Sequence, residues 1–411
     1  MAAPVPLYSV LPFVAMLLAI AVLPLARPHW WESNRNKLLV SASLGLPVLV
    51  LYLARAPRVL AHTAGDYASF IVLLAGLYVI AGGILLRGDL EATPLVNCGF
   101  LAAGTALASL IGTTGASMLI IRALLQTNQE RRHVVHTVVF FIFLVSNVGG
   151  MLTPLGDPPL FLGYLAGVPF AWTLRLWPPW LTMALALLVV YFVWDTIQHR
   201  RESPEALRRD HTRIEPLRIH GGLNGFWLVG VVAAVAFLHA PHREIAILGL
   251  AGISLWRTPP PIRRVNQFTA QPMVEVAVLF LGIFVTMIPA LELLHGRGHE
   301  LGVREPWQFF WAVGGLSSFL DNAPTYLAFL ALGQGLSLPA EVVGVPHAIL
   351  AAISVGSVAM GANTYIGNAP NFMVKAIAEG AGVRMPSFFG YTIYSGAVLI
   401  PLFVAVTLLF F

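Results

Sequence analysis

Two carboxylates stand where a membrane chain least tolerates them. Asp157 lies in the stretch Ser146-Asn147-Val148-Gly149-Gly150-Met151-Leu152-Thr153-Pro154-Leu155-Gly156-Asp157-Pro158-Pro159, and Asp321 in Ser317-Ser318-Phe319-Leu320-Asp321-Asn322-Ala323-Pro324-Thr325. Both stretches interrupt long apolar runs. An ionised carboxylate at the bilayer centre costs about 3 kcal/mol or more unless it is paired, protonated or solvated. Such a group can hold a proton or Na⁺, but not both well, which is the chemistry of cation–proton exchange. A structural role is also open, because Asp157 precedes Pro158-Pro159 and Asp321 precedes an apolar arm, so either can cap a helix. Asn147, Thr153, Asn322, Asn363, Thr364, Asn368 and Asn371 add hard oxygen ligands suited to Na⁺. Thr113, Thr114, Ser117 and Thr325 belong to the same class. All of them can equally satisfy backbone freed where a helix breaks. Arg122 and Lys375 each fall shortly past a break, as counter-charges for an empty carboxylate or as side chains snorkelling to an interface. His133 and His136 lie at the mouth of a broken span, where pH sensing and ordinary interfacial placement are both open. Glu275 sits at a helix start, favourably on the helix dipole.

These groups have to be positioned by apolar helices. The chain has 411 residues, 57% hydrophobic and 10% charged, against about 25% charged in soluble domains. That composition excludes a soluble enzyme, a nucleic-acid-binding domain and a disordered chain, and makes the lipid bilayer the principal partner. Cys98 is the only cysteine, so neither an internal disulfide nor a cysteine metal cluster is available. No P-loop, dinucleotide-binding glycine motif or His-Glu-x-x-His motif is present, so an enzyme and an ATP-driven pump are not expected, nor is a cofactor. The first arginine, Arg27, follows the first apolar run, so a cleaved signal peptide is not expected either.

Apolar runs predict spans near 7–26, 38–54, 67–86 and 176–194, then 223–239, 242–256, 271–294 and 386–411. Between them lie two interrupted stretches, 95–125 and 305–332. Each is read as a re-entrant hairpin with arms of about ten to thirteen residues, half a bilayer each. The stretches 134–168 and 346–381 are read as discontinuous helices, since their prolines and glycines cannot sustain an unbroken one. The segment 195–222 is polar and reads as a linker. Residues 1–194 and 223–411 thus match in order, and Gly156-Asp157-Pro158-Pro159 aligns with Gly367-Asn368-Ala369-Pro370. A hairpin returns to its own side, so each half crosses five times. That odd number makes the second half inverted. The expected fold is an all-α polytopic membrane protein of two inverted repeats, with its site at the repeat interface. Loop arginines concentrate on the linker side, including those of 200–218 with Arg27, Arg87, Arg131, Arg132, Arg263 and Lys37, while Arg55, Arg175 and Arg243 fall opposite. The linker side is then cytoplasmic and both termini lie outside.

On the three motifs ending at Pro159, Thr325 and Asn371, the sequence resembles the ion-transporter superfamily. The Asp-Asn-x-Pro hairpin tip is most similar to NhaD-type sodium/proton antiporters and the related citrate-transporter group. The resemblance implies a moving transport domain of hairpins and broken helices, a homodimer, and a bacterial inner membrane. Carried over by position, it makes Asp157, Asp321 and Asn322 ion-site residues, with Thr153, Asn363 and Thr364 beside them. The carboxylate-transporting branch shows Ser-Asn-Thr at both tips, whereas this chain reads Thr113-Thr114-Gly115 and Asp321-Asn322-Ala323. Two carboxylates would also repel an anionic substrate. Na⁺/H⁺ antiport by alternating access is therefore expected, with Na⁺ and H⁺ as the transported ions. Coupled symport of citrate or another organic anion, and arsenite-type efflux, are alternatives. An intramembrane aspartyl protease is a remote one, since its Gly-x-Gly-Asp motif is absent.

Overall fold

Apolar side chains at every turn of the expected spans produce helices there. The computed structural model describes residues 6–411 apart from 213, 337 and 340, so Arg213 of the linker lies outside the described residues. Helices Leu11–Ala26, Asn34–Arg55 and Pro57–Ala81 come first. The paired arms Pro94–Ile111 and Thr113–Thr127 follow, then the interrupted Val135–Leu144 and Pro158–Leu165, then Trp177–His199. The same order recurs from residue 223. It runs through Leu223–Phe237, His242–Arg257 and the pair Gln271–Thr286 and Ile288–Arg297, then the arms Pro306–Ser317 and Asn322–Gln334. The interrupted His347–Met360 and Ala369–Gly380 come next, and Phe388–Phe410 closes the chain. Among the described residues, six helices are long and apolar enough to cross a membrane, or seven when the bent Gln271–Leu301 pair is taken as one span.

Burial sorts these helices into an inner and an outer set. Every residue of Val135–Leu144 from His136 onward is buried, and so are nearly all of His347–Met360. A helix covered on all sides sits at the centre. Trp177–His199 instead buries one stripe, Pro179, Met183, Ala184, Leu187, Tyr191 and Asp195, and leaves Leu185, Val189, Val193 and other apolar residues facing outward. That is the pattern of a helix between protein core and lipid.

Both hairpins fold back on themselves. In the first, a Cβ on Gly104 would lie 3.2 Å from Ile120 Cδ1, eight residues on either side of the turn at Gly112, and Asn97 and Asn128 exchange amide hydrogen bonds of 2.9 and 2.8 Å near its base. In the second, the Phe309 and Phe329 rings meet edge to face at 6.2 Å. The first hairpin departs from the expected dimensions: its arms are 18 and 15 residues. Only Gly112, with φ +81°, is non-helical at the tip, and Thr113 to Ser117 already belong to the second arm. Polar composition alone therefore overstated the break. The second hairpin has arms of 12 and 13 residues.

Three further departures have local causes. The run 271–294 bends by 42° between Thr286 and Ile288, just before Pro289, whose ring removes a helical donor. Helices Leu223–Phe237 and His242–Arg257 hold 15 and 16 residues, about 22–24 Å at 1.5 Å per residue, short of the ~30 Å hydrocarbon core. The helix expected to reach residue 86 stops at Ala81 before Gly82-Gly83, and Leu85–Asp89 pairs antiparallel with Glu215–His220, Leu85 opposite His220 and Arg87 opposite Arg218. This small sheet departs from an all-helical reading, and it means that the linker is docked.

Other groups fasten the linker too. Asp210 Oδ2 accepts from the Ala92 N–H at 2.9 Å. Glu202 accepts from the N–H groups of Arg132 at 3.1 Å and His133 at 2.9 Å. Burial pushes the Glu202 carboxyl up, but these bonds outweigh it and hold it below its ordinary value. A lowered carboxyl contributes stability that is present above the ordinary glutamate range and lost as pH falls through the lowered folded value. Thermal unfolding in detergent should show the melting temperature falling on acidification into that range. Glu202→Gln should flatten this acid limb.

Three charges counted as loop charges are in fact buried: Arg131, Lys37 and Arg243. Each has a carboxylate to meet. Lys37 Nζ lies 2.8 Å from Glu275, and Arg243 Nε donates to Glu244 at 2.8 Å. Glu275 thus has an ion-pair partner beyond its place at the helix start.

Candidate functional site

Both broken helices part in the same way. After Val135–Leu144 the chain makes one tight turn, Val148–Met151, and restarts at Pro158. After His347–Met360 it makes the turn Gly361–Asn363 and restarts at Ala369. Thr153 Oγ1 donates to the Ser109 carbonyl, and Thr364 Oγ1 to the Ser318 carbonyl. Thr153 Oγ1 accepts from Leu155 N–H at 3.1 Å and Thr364 Oγ1 from Ile366 N–H at 3.3 Å. Ser109 Oγ reaches the Gly149 carbonyl at 2.5 Å, and Ser318 Oγ the Met360 carbonyl at 3.1 Å. Gly156 and Gly367 press against the carbonyls of Gly150 and Gly361, so a Cβ on either would collide. These contacts satisfy the backbone that the breaks release, as burial requires.

The restarts bring four helix N-termini together. Thr113 and Asn322 begin the second arms of the hairpins, while Asp157 and Asn368 precede the second segments of the broken helices. Asp157, 2% exposed, joins all four. Its Oδ1 accepts from Thr113 Oγ1 at 2.9 Å and from Asn368 Nδ2 at 3.1 Å, and its Oδ2 accepts from Asn322 Nδ2 at 2.6 Å. Asn368 Nδ2 also donates to the Ser146 carbonyl at 3.1 Å and Asn147 Oδ1 at 3.3 Å. Asn147 Nδ2 donates to Asn371 Oδ1 at 2.7 Å, and Asn371 Nδ2 to the carbonyls of Gly361 and Thr364 at 2.8 and 2.9 Å. The result is one carboxylate–amide chain that runs from the first half to the second and back. Each N-terminus carries about half a positive charge, so two aspartates offset four of them.

The other expected site residues fall around this junction. Asp321 does not join the hydrogen-bonded chain: its Oδ1 accepts from Ala323 N–H at 3.0 Å and caps the second arm. Thr325 Oγ1 donates to the Asp321 carbonyl at 2.8 Å. Ser117 Oγ lies 2.9 Å from Ser146 Oγ, which ties the first hairpin to its broken helix. Thr114 is half-buried beside Thr113. Asn363 Nδ2 donates to Ser318 Oγ at 2.9 Å, while its Oδ1 is buried with no hydrogen-bond partner among the described residues. Arg122 and Lys375 have partners other than the two aspartates. Arg122 Nη2 donates to Gln267 Oε1 at 3.0 Å, and Lys375 Nζ to Glu379 Oε1 at 2.7 Å, one helical turn away. Ser109 was not singled out in the sequence. It lies inside an apolar arm, and only its alignment with the Ser317-Ser318 pair could have marked it.

A family model described as "Putative citrate transport" matches residues 2–411. The chain belongs to that family. No curated protein matches the chain. Membership over nearly the whole length, with the set of membrane helices, makes this an integral membrane protein and a secondary transporter rather than an enzyme. It also fits a site built from unwound segments and helix N-termini, where carriers hold their substrates and coupling ions.

Proposed function

We propose that the protein exchanges Na⁺ for H⁺ by alternating access, with Asp157 as the exchanging carboxylate. The single observation that carries this reading is the Asp157 junction: a buried carboxylate bonded by both hairpin tips and the opposite broken helix, with no cationic side chain among its hydrogen-bond partners in the described residues. Three of the four acceptor positions of an ionised carboxylate are filled by Thr113, Asn322 and Asn368. A bound Na⁺ would draw the amide oxygens of Asn322 and Asn368 in place of their N–H groups, and a proton would remove the need for those donors. The unpartnered Asn363 Oδ1 offers a further hard oxygen ligand. The repeated contacts at Thr153 and Thr364 support two inverted repeats, here proposed with the linker side cytoplasmic, in a homodimer of the bacterial inner membrane. Asp321 is assigned a supporting part, since its carboxylate caps a helix.

A second reading is favoured by the family description and by the four convergent N-termini: symport of citrate or a similar anion with a cation. Bound together, the anion and its cation keep the site near neutrality. Proteoliposomes with an internal pH dye separate the two. Antiport predicts that external Na⁺ alone moves protons, without citrate. If proton movement or labelled-citrate uptake appears only when citrate and the cation are present together, symport replaces antiport.

A further inference from the structure

A second cluster of buried ionisable groups lies at the base of the first hairpin, and transport at Asp157 does not use it. Asp195, fully buried near the end of Trp177–His199, accepts from Arg131 Nη2 at 2.6 Å, Arg131 Nη1 at 3.0 Å and Asn97 Nδ2 at 3.2 Å. His136 Nε2 lies 2.8 Å from Asp195 Oδ1. Glu202 lies 3.9 Å from Arg131 Nε and 3.2 Å from the ring of His133. Asn97 and Asn128 close the cluster across the two hairpin arms. His136 is itself buried, its ring parallel to that of Trp194 at 6.3 Å and stacked on Tyr191 at 5.8 Å. It is therefore not an ordinary interfacial histidine.

The other groups around His136 leave it as the variable charge. Tyr191 Oη is bonded to Thr137 Oγ1 at 3.1 Å. Cys98, on the hairpin arm, contacts the Leu188 carbonyl. Tyr394 stacks on Trp194 at 5.7 Å. On Ala369–Gly380, which packs on the broken helix, Lys375 and Glu379 neutralise each other. Within the cluster two carboxylates, Asp195 and Glu202, face one guanidinium, Arg131. The balance needs one more positive charge. His133 is the rival source: its side chain is 44% exposed and lies against Glu202, whose own side chain is 1% exposed. His136 is the enclosed one, its side chain 5% exposed against Asp195 at 0%, and an excess of buried negative charge is costly.

We propose that protonated His136 latches the first hairpin and broken helix to Trp177–His199, and that its deprotonation loosens this latch, giving pH control at a site separate from Asp157. The latch joins two of the elements that carry Asp157 and Thr113 to a helix that carries neither. The sign follows from charge: the contribution is present while His136 carries its proton and lost when it does not.

Hydrogen exchange on the full-length protein in nanodiscs, corrected for the chemical exchange rate, tests it. Protection of residues 128–137 should fall about tenfold or more between about pH 6 and about pH 9. His136→Gln should be weakly protected at both, and His136→Lys, permanently charged, should stay protected at both. Protection independent of pH in the wild type, a response that survives His136→Gln, or one abolished by His133→Gln alone would overturn the proposal.

Discussion

Asp157→Asn should reduce ion-driven proton flux in proteoliposomes to the protein-free background, while Asp321→Asn should keep a measurable fraction of wild-type flux. The two substitutions are chemically identical, so the difference must come from surroundings. An asparagine at 157 can neither take up a proton nor supply charge to a cation. Its amide nitrogen would also face a donor from Asn322, or donors from Thr113 and Asn368, and each buried bond lost in this way costs about 1–3 kcal/mol. At 321 the side-chain oxygen that matters accepts one backbone N–H, and asparagine caps helices about as well as aspartate. Equal loss of flux in both variants, with both folded, would show that Asp321 carries ions as well.

Gly156→Ala should abolish transport and lower the melting temperature, and Gly367→Ala should act likewise. A Cβ at 156 meets the Gly150 carbonyl and backbone, which are tied into the turn of the broken helix and cannot move aside as a flexible side chain would. Overpacking of this kind costs about 1–3 kcal/mol and sometimes more. Here it would also displace the Gly156 carbonyl, which accepts from Thr113 N–H at 2.8 Å, and so separate Thr113 from Asp157. Gly99→Ala is the control: its Cβ position meets nothing within 4 Å, so alanine there should leave the melting temperature unchanged or raised. Flux and thermal unfolding of the three variants, measured side by side, check the prediction.

Much of this arrangement was legible in the sequence because it depends on local chemistry. Proline and glycine mark breaks wherever they occur in an apolar run, and so residues 146–159 and 361–371 could be read as unwound. The hairpin at 95–125 was legible for the same reason, but its true break was not. Thr113, Thr114 and Ser117 look like loop residues by composition, yet they sit in a helix because only Gly112 needs a positive φ. The sheet between Leu85–Asp89 and Glu215–His220 was hidden because its strands are short and far apart in sequence. Arg131, Lys37 and Arg243 were read as loop charges for a related reason: whether a charge near a span end meets water or a carboxylate depends on which helix packs beside it.

The sequence by itself determined that this is a polytopic membrane protein with interrupted helices, because span length, helix breaks and scarcity of charge are properties of the chain against the bilayer. It also marked Asp157 and Asp321, but it could not rank them. Only the tertiary structure decided that Asp157 joins four helix N-termini while Asp321 caps one. It likewise gave Arg122 and Lys375 other partners and brought His136 to Asp195. Each of these turns on hydrogen-bond distances between segments far apart in the chain, and such distances are set by packing rather than by any local spacing of residues.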